Sequence, residues 1–319
     1  MEPEPDAVVE VVRSGFVESH HRAAVVAIDA EGRVVLAHGD VRAPIFPRSS
    51  NKPLQAAAML RAGLDLDGEL LALAAASHSG EPFHIEGVRR MLAGAGLAES
   101  ALQTPPDLPI EEQARQEYLR DGGKPLPIVM NCSGKHAAML ATCVVNGWPT
   151  ATYREPDHPL QVRILATVED LAEERVAAVG VDGCGAPVLS LSLLALARSF
   201  ARVATADGTS AEGRVAAAIR AYPGWLGGPR RDVTRLVAGV PGLVAKDGAE
   251  GVYAAAMPDG RAVAVKVYDG AARGRAPLMV AALRRLGVDA PVLTELAAGT
   301  QLGGGEVVGL VRVRRGNRE

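Results

Sequence analysis

The segment "DAVVEVVRSGFVESHHRAAVVAIDAEGRVVLAHGD", residues 6–40, decides the fold class. Apolar and polar residues alternate along much of it, which is the pattern of β-strands with one buried face. The tetrapeptide "DAEG" at 29–32 is typical of a hairpin turn between two such strands. Similar strand patterns return near the other end of the chain, in "GVPGLVAKDG", "GVYAAAMPDGRAVAVKVYDG" and "GEVVGLVRVRR". We therefore expect a sheet built from about residues 6–40 and 240–314.

The middle of the chain, from about residue 50 to 238, is predicted to be mainly helical. Apolar residues recur there at helical spacing, and clusters of Pro and Gly separate the segments. The expected helices cover residues 51–63, 67–76, 84–96, 110–120, 133–146, 158–174, 188–203, 211–221 and 230–238. One more helix is expected at "APLMVAALRRLG", between the last two strand segments.

Strands at both ends with helices between them predict an α+β fold. Residues 1–319 would form a single domain with an antiparallel sheet made from the N- and C-terminal strands. A mainly helical lobe would be inserted between those strands, because strands and helices do not alternate as they do in a parallel-sheet fold. The functional site is expected where the sheet and the lobe meet.

Composition excludes several classes of protein. With 319 residues and 48% hydrophobic content, the chain can bury a large core. The net charge of −3, with no cluster of basic residues, argues against a nucleic-acid partner. The N-terminal "MEPEPDAVVEVV" lacks the features of a secretory signal, and no apolar stretch reaches the roughly 20 residues of a membrane span. Three cysteines fit a reducing compartment, so we expect a cytoplasmic protein without a membrane partner.

Lysine is rare in this chain. Of 34 basic residues only five are lysines, at positions 52, 124, 135, 246 and 266. Arginine keeps its proton in proteins, whereas lysine can act as a base or a metal ligand once its pKa falls. These five lysines are therefore candidates for a catalytic base or a metal ligand.

The first candidate is "PRSSNKPLQ", residues 47–55. Ser49 and Lys52 are three residues apart, so both can lie on one face of a helix, and a neutral amine could accept the serine proton. The alternative is a serine that caps the helix beside an exposed lysine, which is the more common meaning of this spacing. "ASHSGEP", residues 76–82, offers a second hydroxyl in Ser77 or Ser79, or simply a capping loop.

A second group of candidates carries thiols. In "MNCSGKHAAML", residues 130–140, the spacing places Cys132, Lys135 and His136 on one helix face. "VDGCGAP" places Asp182 and Cys184 in a Gly-rich turn that is expected to lead from a strand into a helix. The two cysteines could form half of a zinc site, with Lys135, His136 or Asp182 as a third ligand, although no finger-type spacing demands a metal.

The third cysteine and the remaining lysines complete the candidates. Cys143 lies too far along its predicted helix to share a metal with Cys132, so core packing is expected. Lys246 ends a predicted strand in "GLVAKDGAEGV" and is a candidate partner for a serine. Lys266, in a predicted strand of alternating pattern, is the alternative candidate for that role.

Five of these motifs occur in a fixed order: "RSSNKP", "ASHSGEP", "NCSGKHAAML", "VDGCGAP" and "AKDGAEG". Together they resemble the rhizobial-type L-asparaginases, the asparaginase II family, from about residue 8 to 313. The resemblance implies a fold related to serine β-lactamases and glutaminases, a homodimer, and hydrolysis of L-asparagine to L-aspartate and ammonia.

The resemblance also implies roles for individual residues. Two Ser–Lys tandems would carry the catalysis: Ser49 with Lys52, and Ser77 with Lys246. The residues expected to bind the substrate are Arg48, His136 and Asp182. The residues expected to bind a zinc ion, which would stabilise or orient rather than attack, are Cys132, Lys135 and Cys184.

The implied mechanism is attack of Ser49 on the side-chain amide with Lys52 as the base. Ser77 stays open as an alternative nucleophile. Two other functions also stay open at this point: a glutaminase or another serine amidohydrolase on the same scaffold, and a non-catalytic protein that binds zinc or a ligand. Asparagine and glutamine differ by one methylene, which a pocket distinguishes by only about 1–3 kcal/mol.

Overall fold

The computed structural model describes residues 7–314. Within them the strands are β1 Ala7–Arg13, β2 Phe16–Ile28, β3 Val34–His38, β4 Pro44–Ile45, β5 Val179–Val181, β6 Pro187–Leu189, β7 Leu191–Ser192, β8 Val244–Asp247, β9 Val252–Ala256, β10 Ala262–Val267, β11 Ala298–Gly303 and β12 Glu306–Val313. The predicted start of the first strand, at about residue 6, lies outside the described residues.

The main sheet joins the two ends of the chain. Its strand order is β11-β12-β1-β2-β10-β9-β8, with β3 also paired to β2, and each pairing is antiparallel. The long strand β2 links the two halves, because its first part pairs with β1 and its second part pairs with β10 and β3.

The burial of β2 changes along its length. Exposure alternates over its first residues, whereas residues 23–28 are buried continuously. Such a change is typical of a strand that leaves a half-solvated part of a sheet and enters a part covered on both faces. The covering helices are the two that pack against β2, β9 and β10, residues 193–205 and 275–285.

The helices within the described residues are α1 Lys52–Arg61, α2 Gly68–Ala74, α3 Pro82–Gly94, α4 Glu112–Arg120, α5 Ser133–Asn146, α6 Pro159–Ala172, α7 Leu193–Thr205, α8 Ala211–Ala221, α9 Pro223–Leu226, α10 Asp232–Gly239, α11 Arg275–Arg285 and α12 Pro291–Leu296. Three short 3₁₀ helices span Arg48–Asn51, Glu99–Ala101 and Ala272–Gly274. In the described part of the chain, no helix combines the length and the apolarity that crossing a membrane requires. The predicted α+β class, with a helical region inserted between terminal strands, is confirmed.

One predicted helix begins later than expected. The segment 188–203 was expected to be helical from its start, but residues 187–192 form the short strands β6 and β7, and α7 begins at Leu193. Residues 188–192 read Val-Leu-Ser-Leu-Ser, and the Ser192 hydroxyl caps α7 by accepting a bond from the Ala195 N–H at 3.0 Å. The Gly-rich turn at 182–186 therefore closes a β5–β6 hairpin instead of leading into a helix.

Helix α1 brings the first motif into the protein interior. All its residues from Lys52 to Leu60 are buried, since it packs against α5, α6 and α8 within the helical region. The 3₁₀ helix Arg48–Asn51 precedes it directly and packs against β8 and β9. The start of α1 thus lies at the boundary between the helical region and the sheet.

Candidate functional site

A cavity of about 540 Å³ opens at this boundary. Six of the ten predicted site residues line it: Arg48, Ser49, Ser77, Cys132, Asp182 and Cys184. The other four are almost completely buried: Lys52, Lys135, His136 and Lys246. The fold therefore gathers side chains that are up to about 200 residues apart in the sequence, around one cavity at the boundary between the sheet and the helical region.

The backbone at Arg48 is unusual for a side-chain-bearing residue. Its φ is +52°, in the left-handed region that non-glycine residues seldom adopt. The conformation directs the chain into the 3₁₀ helix and leaves Ser49 on the cavity wall. Backbone strain of this kind persists only where the surrounding structure stabilises it. It is found often at functional sites.

Lys52 makes three contacts inside the protein. Its Nζ lies 2.5 Å from the carbonyl oxygen of Ala76, 3.0 Å from Ser77 Oγ and 3.1 Å from Cys132 Sγ. A neutral amine can donate two hydrogen bonds and accept one, so it can accept the hydroxyl proton of Ser77 while it donates to the other two. Lys52 is almost completely buried, so the exposed-lysine alternative is wrong.

The serine–lysine pairing differs from the predicted tandems. Among the hydrogen bonds of residues 7–314, Lys52 bonds to Ser77, and no bond joins it to Ser49. Lys246 Nζ bonds instead to the backbone and side-chain oxygens of Asp247, both at 2.7 Å. Lys266 donates to the carbonyl oxygens of Glu250 and Val267 and is not a lining residue of the cavity. Ser77 thus contacts Lys52 instead of Lys246, because the loop after α2 reaches the start of α1.

The two thiols form a buried cluster with Lys135. Lys135 Nζ lies 3.3 Å from Cys184 Sγ, and Cys132 and Cys184 pack together with Met130 and Ala186. A hydrogen bond between the thiols, aided for Cys184 by the Lys135 ammonium, raises the pKa of Cys132 and lowers that of Cys184. Although burial opposes it, the negative charge on the sulfurs raises the pKa of Lys135. The cluster therefore favours negative charge on Cys184 and positive charge on Lys135.

This donor set fits a zinc ion. Zinc prefers sulfur and nitrogen ligands, and two thiols and one amine converge here. In residues 7–314, no group of three His, Cys, Asp or Glu side chains is arranged to hold a metal, so a zinc site here would need the Lys135 amine, without its proton, as the third ligand. Cys143 is buried in the main core, as predicted for a packing residue.

His136 lies behind the thiols and does not line the cavity. Its Nδ1 is 2.6 Å from the hydroxyl of Tyr153, and its Nε2 is buried without a hydrogen-bond partner. Burial lowers the pKa of His136 to about 4, so the ring is neutral at pH 7. This position differs from the predicted contact with the substrate, because α5 directs the ring into the interior of the helical region.

Arg48 and Asp182 contact each other across the cavity wall. Arg48 Nε lies 2.7 Å from Asp182 Oδ1, and a second carboxylate, Glu250, lies 3.8 Å from Arg48 Nη1. The structure thus brings together two predicted substrate-binding residues, but as a pair whose charges already compensate each other.

The sequence patterns missed a second cluster of charges that lines the same cavity. Asp247 lines the cavity together with Arg231 and Arg275, and its carboxylate contacts both guanidinium groups and Lys246. Despite its burial, these three cations hold the pKa of Asp247 well below its usual range. The position of Asp247 directly after Lys246 was the one available signal, since arginines are so frequent in this chain that a single one is uninformative.

Comparisons with known proteins agree with the motif order. Residues 9–313 match the model of a protein family described as L-asparaginase II. No curated protein matches the chain. Similar solved structures include Mglu in its native form, with a TM-score of 0.45, 16% identity and coverage of 83% of this chain and 63% of that one. A beta-lactamase from Burkholderia vietnamiensis has a TM-score of 0.38, 15% identity and coverage of 87% and 91%. The chain thus spans less than two thirds of the length of Mglu.

Proposed function

Because the chain belongs to the L-asparaginase II family, we propose that it is an amidohydrolase that converts L-asparagine to L-aspartate and ammonia. The observation that carries this proposal is the position of Lys52. Its buried amine lies 3.0 Å from Ser77 Oγ, directly behind a cavity wall that also carries Ser49. A base bonded to a hydroxyl next to a second, more accessible hydroxyl is an arrangement suited to acyl transfer.

In the proposed reaction Ser49 Oγ attacks the carbonyl carbon of the side-chain amide. Its proton passes to the Lys52 amine by way of Ser77 Oγ, which is hydrogen-bonded to that amine. Ser49 is the more accessible nucleophile, because it is only half-buried, whereas Ser77 is 4% exposed. Its position at the start of the 3₁₀ helix that leads into α1 also favours the negative charge that develops on the carbonyl oxygen.

The tetrahedral adduct then collapses. The C–N bond breaks, the leaving amine takes the proton from Lys52, and ammonia departs. A water molecule hydrolyses the aspartyl ester, with Lys52 now accepting the water's proton and returning it to Ser49. Ser77 holds the Lys52 amine in place through both steps, and Lys246 acts on this site only through its charge and its bond to Asp247.

Substrate binding is proposed to use Asp182 for the α-ammonium group. Arg48 Nε donates to this carboxylate at 2.7 Å, and the two residues together select for an amino-acid substrate. His136 contributes only indirectly, because it lies behind the thiols and bonds to Tyr153 instead of touching the substrate.

A zinc ion is proposed to be held by Cys132, Lys135 and Cys184. When bound, it would supply a fixed positive charge that stabilises the thiolates and the local geometry. The protein is further proposed to act in the cytoplasm as a homodimer on a small-molecule substrate, with no nucleic-acid or membrane partner.

The test is ammonia release from L-asparagine and L-glutamine by the purified wild type and three serine variants. We expect activity on asparagine that Ser49→Ala abolishes and Ser77→Ala reduces strongly. Ser50→Ala is the matched control, because its buried Oγ has no hydrogen-bond partner and does not line the cavity. Peptide mass spectrometry after rapid quenching should locate an aspartyl ester on Ser49.

Other outcomes would change the proposal. An ester on Ser77 would move the nucleophile to the serine that Lys52 contacts directly. Preference for glutamine would make the protein a glutaminase. A folded wild type that releases no ammonia from either amide would refute the amidohydrolase and favour a protein that only binds a ligand.

A further inference from the structure

We infer that Arg231 is the residue that recognises the α-carboxylate of the substrate. Arg275 is the residue that positions Arg231, through the Asp247 carboxylate that both arginines contact. This inference rests on the proposed function and specifies its substrate-binding site. Both arginines line the cavity on the wall formed by the end of β8, and their side chains are only 14% and 12% exposed. Burying two guanidinium groups at the surface of one cavity is costly unless an anion compensates them.

The two guanidinium groups are held rigidly. Asp247 Oδ2 lies 2.5 Å from Arg231 Nη2 and 2.9 Å from Arg275 Nη2. Arg275 also donates to the carbonyl oxygen of Gly248 at 2.9 Å and contacts Asp232 at 3.3 Å. Side chains fixed in this way lose little further conformational entropy when a ligand binds.

The charges on this wall do not cancel. Three cations, Lys246, Arg231 and Arg275, face the two carboxylates of Asp247 and Asp232. With each group in its usual ionised form, the wall keeps one excess positive charge. Arg48, in contrast, is compensated by Asp182 and by the more distant Glu250. An anionic substrate group is therefore attracted to the Asp247 wall more strongly than to Arg48.

Arg231 also has the free donors that recognition requires. A guanidinium has five N–H groups. Within the described residues, those of Arg231 donate to the Asp247 carboxylate and, at 3.4 Å, to the carbonyl oxygen of Ser77. Its Nε–H makes no bond there, whereas Arg275 uses Nε and both terminal nitrogens. A carboxylate from the cavity can therefore form charge-assisted bonds with Arg231, while Arg275 stays occupied with protein groups.

Arg231 lies beside the serine that contacts the proposed base. Arg231 contacts the backbone of Ser77, and the side chain of that same serine contacts the catalytic base Lys52. In asparagine, Cα and Cβ separate the α-carboxylate from the amide carbonyl carbon. A carboxylate on Arg231 would therefore place the amide close to the two serines, with the α-ammonium group free to reach Asp182.

The test compares L-asparagine with β-alaninamide, which is asparagine without its α-carboxylate. We expect the wild type to prefer asparagine and Arg231→Gln to lower kcat/KM for asparagine by about 100-fold or more, mainly through KM. The same variant should leave kcat/KM for β-alaninamide within a few-fold of wild type. Arg231→Lys keeps the charge but loses the planar fork. Its kcat/KM for asparagine should lie between the values of wild type and Arg231→Gln. The ratio between the two amides serves as an internal control for partial unfolding.

Arg48→Gln is the discriminating comparison. If the preference for the carboxylate disappears in Arg48→Gln and persists in Arg231→Gln, the inference is wrong and Arg48 holds the carboxylate. Equal losses on both amides in Arg231→Gln also overturn it, since they indicate a structural role. If the wild type hydrolyses neither amide, the proposed function fails separately, and calorimetric binding of L-aspartate against β-alanine decides the inference. Tighter binding of L-aspartate that Arg231→Gln removes supports it, and absence of that difference refutes it.

Discussion

Replacing Asp247 by asparagine removes a buried negative charge that three cations share. The Asp247 carboxylate lies 2.7 Å from Lys246 Nζ, 2.5 Å from Arg231 Nη2 and 2.9 Å from Arg275 Nη2, and the residue is 2% exposed. Asparagine is nearly the same size and can keep some of the hydrogen bonds. The substitution therefore tests the charge and not the shape of the site.

The magnitude follows from those distances. At about 3 Å and an effective dielectric constant of about 20, each ion pair contributes roughly 5 kcal/mol of Coulomb energy before desolvation is counted. Neutralising the carboxylate also removes its own large desolvation cost, so most of this sum cancels. The remaining cost is that of buried cations without a partner, typically about 3–5 kcal/mol. We expect the free energy of unfolding to fall by that amount and the melting temperature to fall by roughly 6–15 °C.

Urea titration at pH 7, followed by circular dichroism, measures this change. Asp259→Asn is the matched control, because Asp259 pairs with Arg261 at 2.8 Å but its side chain is 48% exposed. An exposed pair of this kind contributes at most about 1 kcal/mol. The double variant Asp247→Asn with Lys246→Met should recover part of the loss, since it removes one of the unpartnered cations.

A loss of less than about 1 kcal/mol in Asp247→Asn would refute this reasoning. It would mean that water enters the cluster and screens the cations in place of the carboxylate. The charge argument for an anion-binding wall would then lose its main support as well.

Three other changes test different parts of the site. Burial lowers the pKa of Lys246 to about 8, below its value of 10.5 in an unfolded chain. Between these two pH values the folded protein binds fewer protons than the unfolded chain, so its stability rises with pH. In urea titrations, the unfolding free energy of wild type relative to Lys246→Met should therefore rise by about 3 kcal/mol from pH 8 to pH 10.5. In Gly248→Ala, the added Cβ would lie 2.6 Å from the carbonyl oxygen of Pro47, so the segment before Ser49 must shift and kcat/KM for asparagine should fall roughly tenfold or more. Elemental analysis should find zinc in wild type and in Cys143→Ser, the matched control for a buried thiol outside the site, but not in Cys184→Ser.

Each of these has a contrary result. A flat pH dependence of the Lys246 difference would show that its amine stays protonated in the folded state throughout that range. Unchanged kinetics in Gly248→Ala would mean that the turn at the end of β8 moves away without disturbing the serine. Equal zinc content in the two cysteine variants would exclude Cys184 as a ligand.

Local patterns were sufficient for most of the fold. The alternation in residues 6–40 predicted strands, and the structure has β1, β2 and β3 there. Helices α5 and α8 have the predicted bounds, 133–146 and 211–221, because helical spacing of apolar residues and clear end signals coincide in both. The short helices α9 and α12 were missed because four to six residues are too few to establish a helical period.

The sequence by itself determined which residues could carry chemistry. Rare lysines, thiols at helical spacing and five ordered motifs pointed to ten residues, of which six line the cavity. Residue type limits what a side chain can do, and motif order is independent of the conformation of the chain.

Only the tertiary structure decided which of those groups meet. Spacing allowed Ser49 and Lys52 to meet, and the family resemblance implied that they pair, but the hydrogen bonds of Lys52 go to Ala76, Ser77 and Cys132, which are 24 to 80 residues away. A buried amine forms hydrogen bonds with the acceptors that tertiary packing brings close to it. Leaving it without hydrogen bonds would cost more free energy than a pairing favoured by sequence spacing contributes. The same holds for Asp247, whose partner Arg275 follows it by 28 positions and becomes a neighbour only when α11 packs against the sheet.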